Sequence, residues 1–307
     1  MNLFFILLGK ISPLYLNIAI GYVLTRYFRV KRNFIATLLI YILGPIVILF
    51  ATLSIKINFQ LLFLPLFVFF FGTTIAFYIL KRYKNDWNDA SINTLSFTCG
   101  TGNTGYFGIP LSMILLSPES ANLFIFATLG SLLYEDTTGF YVTAKGSFTA
   151  RQSIIKVIKL PLLYAFILGV IFNLCEIKLP EIFINYNEYI KGAYTILGMM
   201  IVGMGLEKVR FDSSFDIKFI SYAMFIKFVV WPVCILTFIF IDKNYIHFLN
   251  DGLYTVMFLF SIVPLAGNTV TVATLLNVKP QIMSVALFIS TVISLFYIPL
   301  VLYFYMN

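Results

Sequence analysis

Long apolar runs, each closed by a short polar or basic cluster, divide the chain from end to end. A helix needs about 20 apolar residues to cross a bilayer core. Runs of that order recur at 3–25, 33–55, 60–80, 90–116, 121–144, 158–175, 188–206, 217–241, 252–276 and 281–305. The sixth is short and runs into Glu176-Ile-Lys-Leu-Pro180. Membrane barrel strands would instead show alternating segments of about 10 residues. The pattern therefore predicts an all-α integral membrane protein of about ten transmembrane helices. Met1-Asn2-Leu3-Phe4-Phe5 lacks the basic region of a cleavable signal, so the first run is expected to remain as a span.

Basic residues give the runs a direction. The odd loops (Arg26 to Arg32, Lys81 to Lys84, Lys145 to Lys159, Lys208 to Lys218, and Lys279) hold 15 Lys and Arg. The even loops hold Lys56, Lys178, Lys191 and Lys243. The positive-inside rule then places the odd loops in the cytoplasm and both termini outside, in a plasma membrane such as a bacterial inner membrane. The formal charge of +8 is thus a topology signal spread over short loops. It does not read as a nucleic-acid surface.

Two runs lose their apolar character near the middle. The fourth contains Gly100, Gly102, Asn103, Thr104, Gly105, Gly108 and Pro110 within 11 residues. Gly and Pro weaken a helix, and Pro also removes a backbone donor. Freed backbone groups at membrane depth are tolerated only where protein or a water-filled cavity surrounds them. The ninth run repeats the feature with Pro264, Gly267, Asn268 and Thr269. Two interrupted segments in corresponding halves are the sequence mark of a transporter's binding site.

The halves correspond elsewhere too. Pro13-Leu-Tyr15 with Gly21 matches Pro161-Leu-Leu-Tyr164 with Gly169, and Ile42-Leu43-Gly44 matches Ile196-Leu197-Gly198. Pro65 and Pro232 also correspond by position. These matches pair span n with span n+5. Five is odd, so the second half lies upside down relative to the first, a five-plus-five inverted repeat over 1–150 and 151–307 in which spans 4 and 9 pair.

Gly102-Asn103-Thr104-Gly105-Tyr106 followed by Gly108-Ile109-Pro110 resembles the fourth-helix motif of the auxin efflux carrier family, which includes bacterial malonate and malate permeases. Pro264 followed by Asn268 resembles its ninth-helix motif. The resemblance implies a scaffold from 1–56 and 157–206, a mobile transport unit from 57–150 and 213–307, and two broken helices that cross within that unit. It implies a carrier of small organic anions, with a dicarboxylate as the first class. The long central cytoplasmic loop of the plant carriers is absent, since Lys145 to Lys159 is all there is. Auxin itself is therefore not implied.

Gly102, Asn103, Thr104, Gly105, Gly267, Asn268 and Thr269 are the candidate substrate site, with Pro110 and Pro264 as helix breakers. A broken helix exposes N–H groups at a half-helix N-terminus, which favours a carboxylate. The bland alternative is close helix packing by the glycines and helix–helix bonding by the asparagines. Gly100-Thr-Gly102-Asn-Thr-Gly105 also fits G-x-G-x-x-G, but it lacks the preceding strand and the following acid of a dinucleotide site.

Glu135 and Asp136 fall inside the fifth span, where charges are functional by default. On an α-helix they point about 100° apart, which lets one face a cavity while the other pairs elsewhere. The functional reading is proton or sodium coupling; the structural one is an ion pair with Lys227. Lys227, mid-span, fits three roles: binding an anion, neutralising those acids, or snorkelling.

Composition narrows the classes further. The chain is 60% hydrophobic and 11% charged, against about 25% charged in soluble domains. One histidine and three scattered cysteines offer no metal or disulfide pattern. No cofactor is expected beyond a coupling proton or sodium ion. The expected partners are a small organic anion and the bilayer, with the scaffold face open to a homodimer. Three rivals remain: a bile-acid-type sodium symporter of similar ten-span design, a passive channel, and an intramembrane protease. The last lacks a second intramembrane Asp from a separate segment, and neither H-E-x-x-H nor G-x-S-x-G appears.

Overall fold

A computed structural model describes residues 3–55, 57–87, 89–144, 158–159, 161–177, 179–206, 216–276 and 278–306. Among them every regular element is a helix. Six helices are long and apolar enough to cross a membrane. They are α1 (Leu3–Phe28), α2 (Arg32–Leu53), α3 (Phe59–Arg82), α9 (Glu181–Leu206), α10 (Ile217–Ile246) and α13 (Pro280–Met306). A seventh candidate is α11 (Asp251–Ile262) with α12 (Gly267–Leu275), bent by 46° at the break between them. The remaining expected spans are subdivided or short. Span four is α4 (Ser91–Cys99) and α5 (Ile109–Leu115); span five is α6 (Pro118–Tyr134) and α7 (Phe140–Thr143); span six is α8 (Pro161–Leu174). Arg151, Lys156, Lys208 and Arg210, which carry much of the charge asymmetry, lie outside the described residues, as do Lys145, Lys56 and Lys178.

Proline placement explains much of the irregularity. Proline cannot donate to the helix ladder and its ring crowds the preceding turn. Three wide π turns, at Leu39–Leu43, Thr104–Gly108 and Ile226–Val230, each end two residues before a proline, namely Pro45, Pro110 and Pro232. The extra residue in the turn absorbs the missing bond. Helix starts are set by side-chain caps: Asn58, Ser117, Asp216 and Asn250 each accept from a backbone N–H three residues on.

Polar contacts gather the loops at two ends. At one end Lys279 pairs with Asp89 at 2.7 Å, Lys218 with Asp86 at 3.3 Å, and the Trp87 indole donates to Asp216 at 2.9 Å. These contacts join loops three, seven and nine. At the other, Asn173 donates to the Ile55 carbonyl at 2.6 Å and Gln60 to that of Phe248, joining loops two, six and eight. Odd loops thus meet odd loops and even meet even.

Close backbone approach holds α1 on α9. A Cβ at Gly21 would lie 2.0 Å from the Met200 carbonyl oxygen, and one at Gly203 1.8 Å from that of Ile18. In a bilayer such small-residue contacts replace the hydrophobic drive as the source of helix association. Gly203→Val is expected to destabilise the protein by about 1–3 kcal/mol or more. Gly192→Val, where nothing lies within 4 Å of the added atom, is the control. Thermal unfolding in detergent reads both, and equal melting would remove the close-packing account.

At the surface, the Lys279 hydrogen bond pulls the Asp89 carboxyl down to about 2. A depressed carboxylate contributes stability above its unfolded value, lost as pH falls through the folded one. The pair is half exposed, so the effect is small. Asp89→Asn should lower the melting temperature slightly at pH 6 and leave it unchanged near pH 2.

Candidate functional site

The two breaks meet. The Asn103 N–H donates to the Pro264 carbonyl at 2.8 Å, tying the first interrupted segment to the second. Around this bond the other loose groups find partners. The Tyr134 hydroxyl donates to the Phe97 carbonyl at 2.9 Å, and the Trp231 indole to that of Cys99 at 2.7 Å. Both are carbonyls of the last turn of α4; that of Phe97 also accepts from the Gly100 N–H at 3.2 Å. On the second segment the Leu265 N–H donates to Ser290 at 3.2 Å. Gly100 packs so closely on α3 that a Cβ at Gly72 would meet its carbonyl oxygen at 2.2 Å.

A cavity of about 240 Å³ opens beside the crossing. Gly102, Asn103, Thr104, Gly105, Gly267, Asn268, Glu135 and Asp136 all line it. Thr269, Pro110 and Pro264 are buried behind that wall; the Thr269 hydroxyl donates to the Ala266 carbonyl at the start of α12. The opposite wall comes from α2 through Leu39, Gly44 and Val47, from α8 through Leu162, and from α9 through Tyr194. The cavity therefore lies between the broken helices with α6 on one side and α2, α8 and α9 on the other.

Glu135 joins the two breaks a second time. Its Oε1 accepts from the Thr101 hydroxyl at 2.8 Å and its Oε2 from the Asn268 amide at 2.9 Å. Both acids line the cavity. Glu135–Gly139 is a π turn. The Asn103 amide nitrogen is buried without a hydrogen-bond partner and sits on the cavity wall.

Of the three roles expected of Lys227, its burial removes one. It is fully buried, so it does not snorkel. It is not on the cavity wall, and its ammonium has no hydrogen-bond acceptor. It stands over the Trp231 ring, 4.4 Å from the centroid.

Sequence reasoning missed four residues here. Thr101, Tyr134 and Trp231 act through partners far away in sequence, and no local pattern marks them. Arg32 was read as a loop charge, yet an atom added at Gly267 would lie 3.9 Å from its guanidinium, and Tyr106 on the cavity wall is an electrostatic neighbour. A basic residue at the first position of a span was the available signal.

Apolar helices of crossing length around a polar cavity at two helix breaks define a multi-pass membrane transporter. The sequence agrees. Residues 147–302, half of the chain, match the profile of the family described as membrane transport protein, and the chain belongs to this family, that of the auxin efflux carriers. It is 27% identical over 276 residues to an uncharacterized transporter of Methanocaldococcus jannaschii, the match covering 86% of each chain.

If the crossing is held as described, Glu135→Gln should keep the fold, because an amide oxygen still accepts from one of the two donors. Glu135→Ala, which leaves both donors unpaired, should cost about 1–3 kcal/mol of stability. Thermal unfolding of the two variants side by side checks this; equal losses would mean that the carboxylate does not link the breaks.

Proposed function

We propose that the chain is a secondary carrier for a small organic anion, a dicarboxylate such as malate or malonate being the first class to test. The observation that carries this reading is the crossing itself, where the Asn103–Pro264 bond closes two broken helices against a polar cavity. Two helical segments begin on the cavity wall, at Thr104 and at Gly267. The positive end of the second favours an anion, while the Thr104 N–H of the first is already bonded to the Gly102 carbonyl at 2.7 Å. The unpartnered Asn103 amide adds a neutral donor, and Arg32 supplies a positive charge near Gly267.

The mechanism is alternating access. Spans 1, 2, 6 and 7 form a scaffold, and spans 3–5 and 8–10 move against it with the bound anion. Support comes from the cavity walls, which divide along that line. Support for the inverted repeat comes from paired contacts. Gly21 of span one packs on span seven at Met200, and its counterpart Gly169 of span six packs on span two at Thr52. Glu135 and Asp136 are the groups through which a proton or sodium ion would couple.

One observation favours a bulkier cargo of the bile-acid type. A second cavity of about 250 Å³, lined by apolar residues including Pro65, Leu129 and Phe166, shares Leu132 and Leu162 with the first. An amphipathic anion could place its head at the crossing and its body there.

Solute counterflow in proteoliposomes separates these readings. Vesicles are loaded with unlabelled malate, malonate or taurocholate, and a trace of the labelled solute is added outside. A transient overshoot is expected for the carried solute. Asn103→Ala and Asn268→Ala should each lower it about tenfold or more, the loss of about 1.4 kcal/mol of transition-state stabilisation. Arg32→Gln should raise KM several-fold with little change in maximal rate. Equilibration without overshoot would make the protein a channel, and full activity in both asparagine variants would remove the crossing as the site.

A further inference from the structure

The least expected group in the protein is the Lys227 ammonium. It is fully buried, it lacks a hydrogen-bond acceptor, and the carriage of an anion as proposed above makes no use of it. Its surroundings say what it does. A Cβ at Gly102 would lie 2.6 Å from the Lys227 Nζ and 2.8 Å from the Val263 side chain. The Trp231 ring beneath the ammonium bonds through its N–H to the carbonyl of Cys99. Cys99 is the last residue of α4, and Val263 follows the last residue of α11. The ammonium therefore stands where the C-terminal ends of both half-helices converge.

Each helix C-terminus carries about half a negative charge. Two of them meeting at membrane depth call for a cation. In carriers with discontinuous helices, half-helix C-terminal ends and unwound carbonyls coordinate the coupling sodium ion. Lys227 brings one positive charge to that position on a side chain that cannot leave. The Trp231 face supplies attraction that water would otherwise provide, and Gly102 supplies the room.

We propose that Lys227 is a built-in cation that takes the place of a coupling sodium ion at the crossing, so that the two broken helices assemble, and the carrier works, without sodium. The counter-charge is the pair of helix ends. The proposal rests on the crossing and not on the identity of the cargo.

The test uses the full chain purified in detergent. Thermal unfolding is followed by tryptophan fluorescence in sodium chloride and in choline chloride at equal ionic strength, with amide hydrogen exchange read at 100–103 and 265–269. The wild type should melt at the same temperature in both salts, and Lys227→Arg should stay close to it. Lys227→Ala should melt lower by about 5 °C or more, exchange faster at both breaks, and recover in part with methylammonium but not with choline. Lys227→Met keeps the packing and removes the charge; it should show the same faster exchange. A wild type stabilised by sodium over choline would overturn the proposal. So would a Lys227→Met protein as stable and as protected as wild type, the result expected if the lysine were mere filler. Any solute that gives counterflow should keep its rate when choline replaces sodium. Absence of malate counterflow would sink the cargo reading and leave these stability outcomes to decide the role of Lys227.

Discussion

A bilayer interior offers no water to a backbone that leaves the helix. Two such departures, at 100–103 and 263–266, are the constraint to which the rest of this protein answers. Each break frees carbonyls at the end of one half-helix and N–H groups at the start of the next. The carbonyls of Phe97 and Cys99 are taken by Tyr134 and Trp231, and that of Pro264 by Asn103. The partners come from α6, α10 and the opposite break, so the breaks cannot form until those elements are in place. The functional region is thus also the centre of tertiary organisation.

The same logic extends to the wide turns. A proline in a membrane helix needs its neighbours to absorb the lost bond, and here a π turn precedes Pro45, Pro110 and Pro232. The turn before Pro232 carries Lys227, and the turn before Pro110 begins where the first break ends. The π turn at Glu135–Gly139 has no proline after it. It carries Glu135 and Asp136, which both line the cavity. Irregular backbone in this chain is concentrated where side chains must be aimed.

Much of this was legible in the chain before any coordinates. Glycines and prolines clustered in apolar runs marked both breaks, and charges inside spans marked Glu135, Asp136 and Lys227. Those signals are local: each is an energetic anomaly against a helix in hydrocarbon. What was not legible is relational. Nothing near Thr101 or Trp231 in sequence shows which carbonyl or carboxylate they reach, because that is set by how helices distant in the chain cross. Hydropathy could also not see that span five is divided by a π turn at Glu135–Gly139, since a change in hydrogen-bond register leaves no mark on residue type. Arg32 was assigned to a loop because a basic residue at the mouth of a span looks the same whether it faces water or a cavity.

Charge around the cavity constrains any cargo the site can take. Glu135 and Asp136 lie on the wall, Glu135 bonded to Asn268 at the start of the second half-helix, with the Arg32 guanidinium near Gly267. An anion entering this space is drawn toward the unpartnered Asn103 amide and the Arg32 guanidinium and repelled by the carboxylates. In a medium of low dielectric that repulsion is felt across the whole cavity. The arrangement is self-consistent if a proton travels with the anion on one of the acids, because the moving unit then crosses the bilayer with one less negative charge. Lys227, outside the cavity and balanced by helix ends, takes no part in that exchange. On the two proposals together, the fixed positive charge holds the crossing and the acids carry the coupled proton.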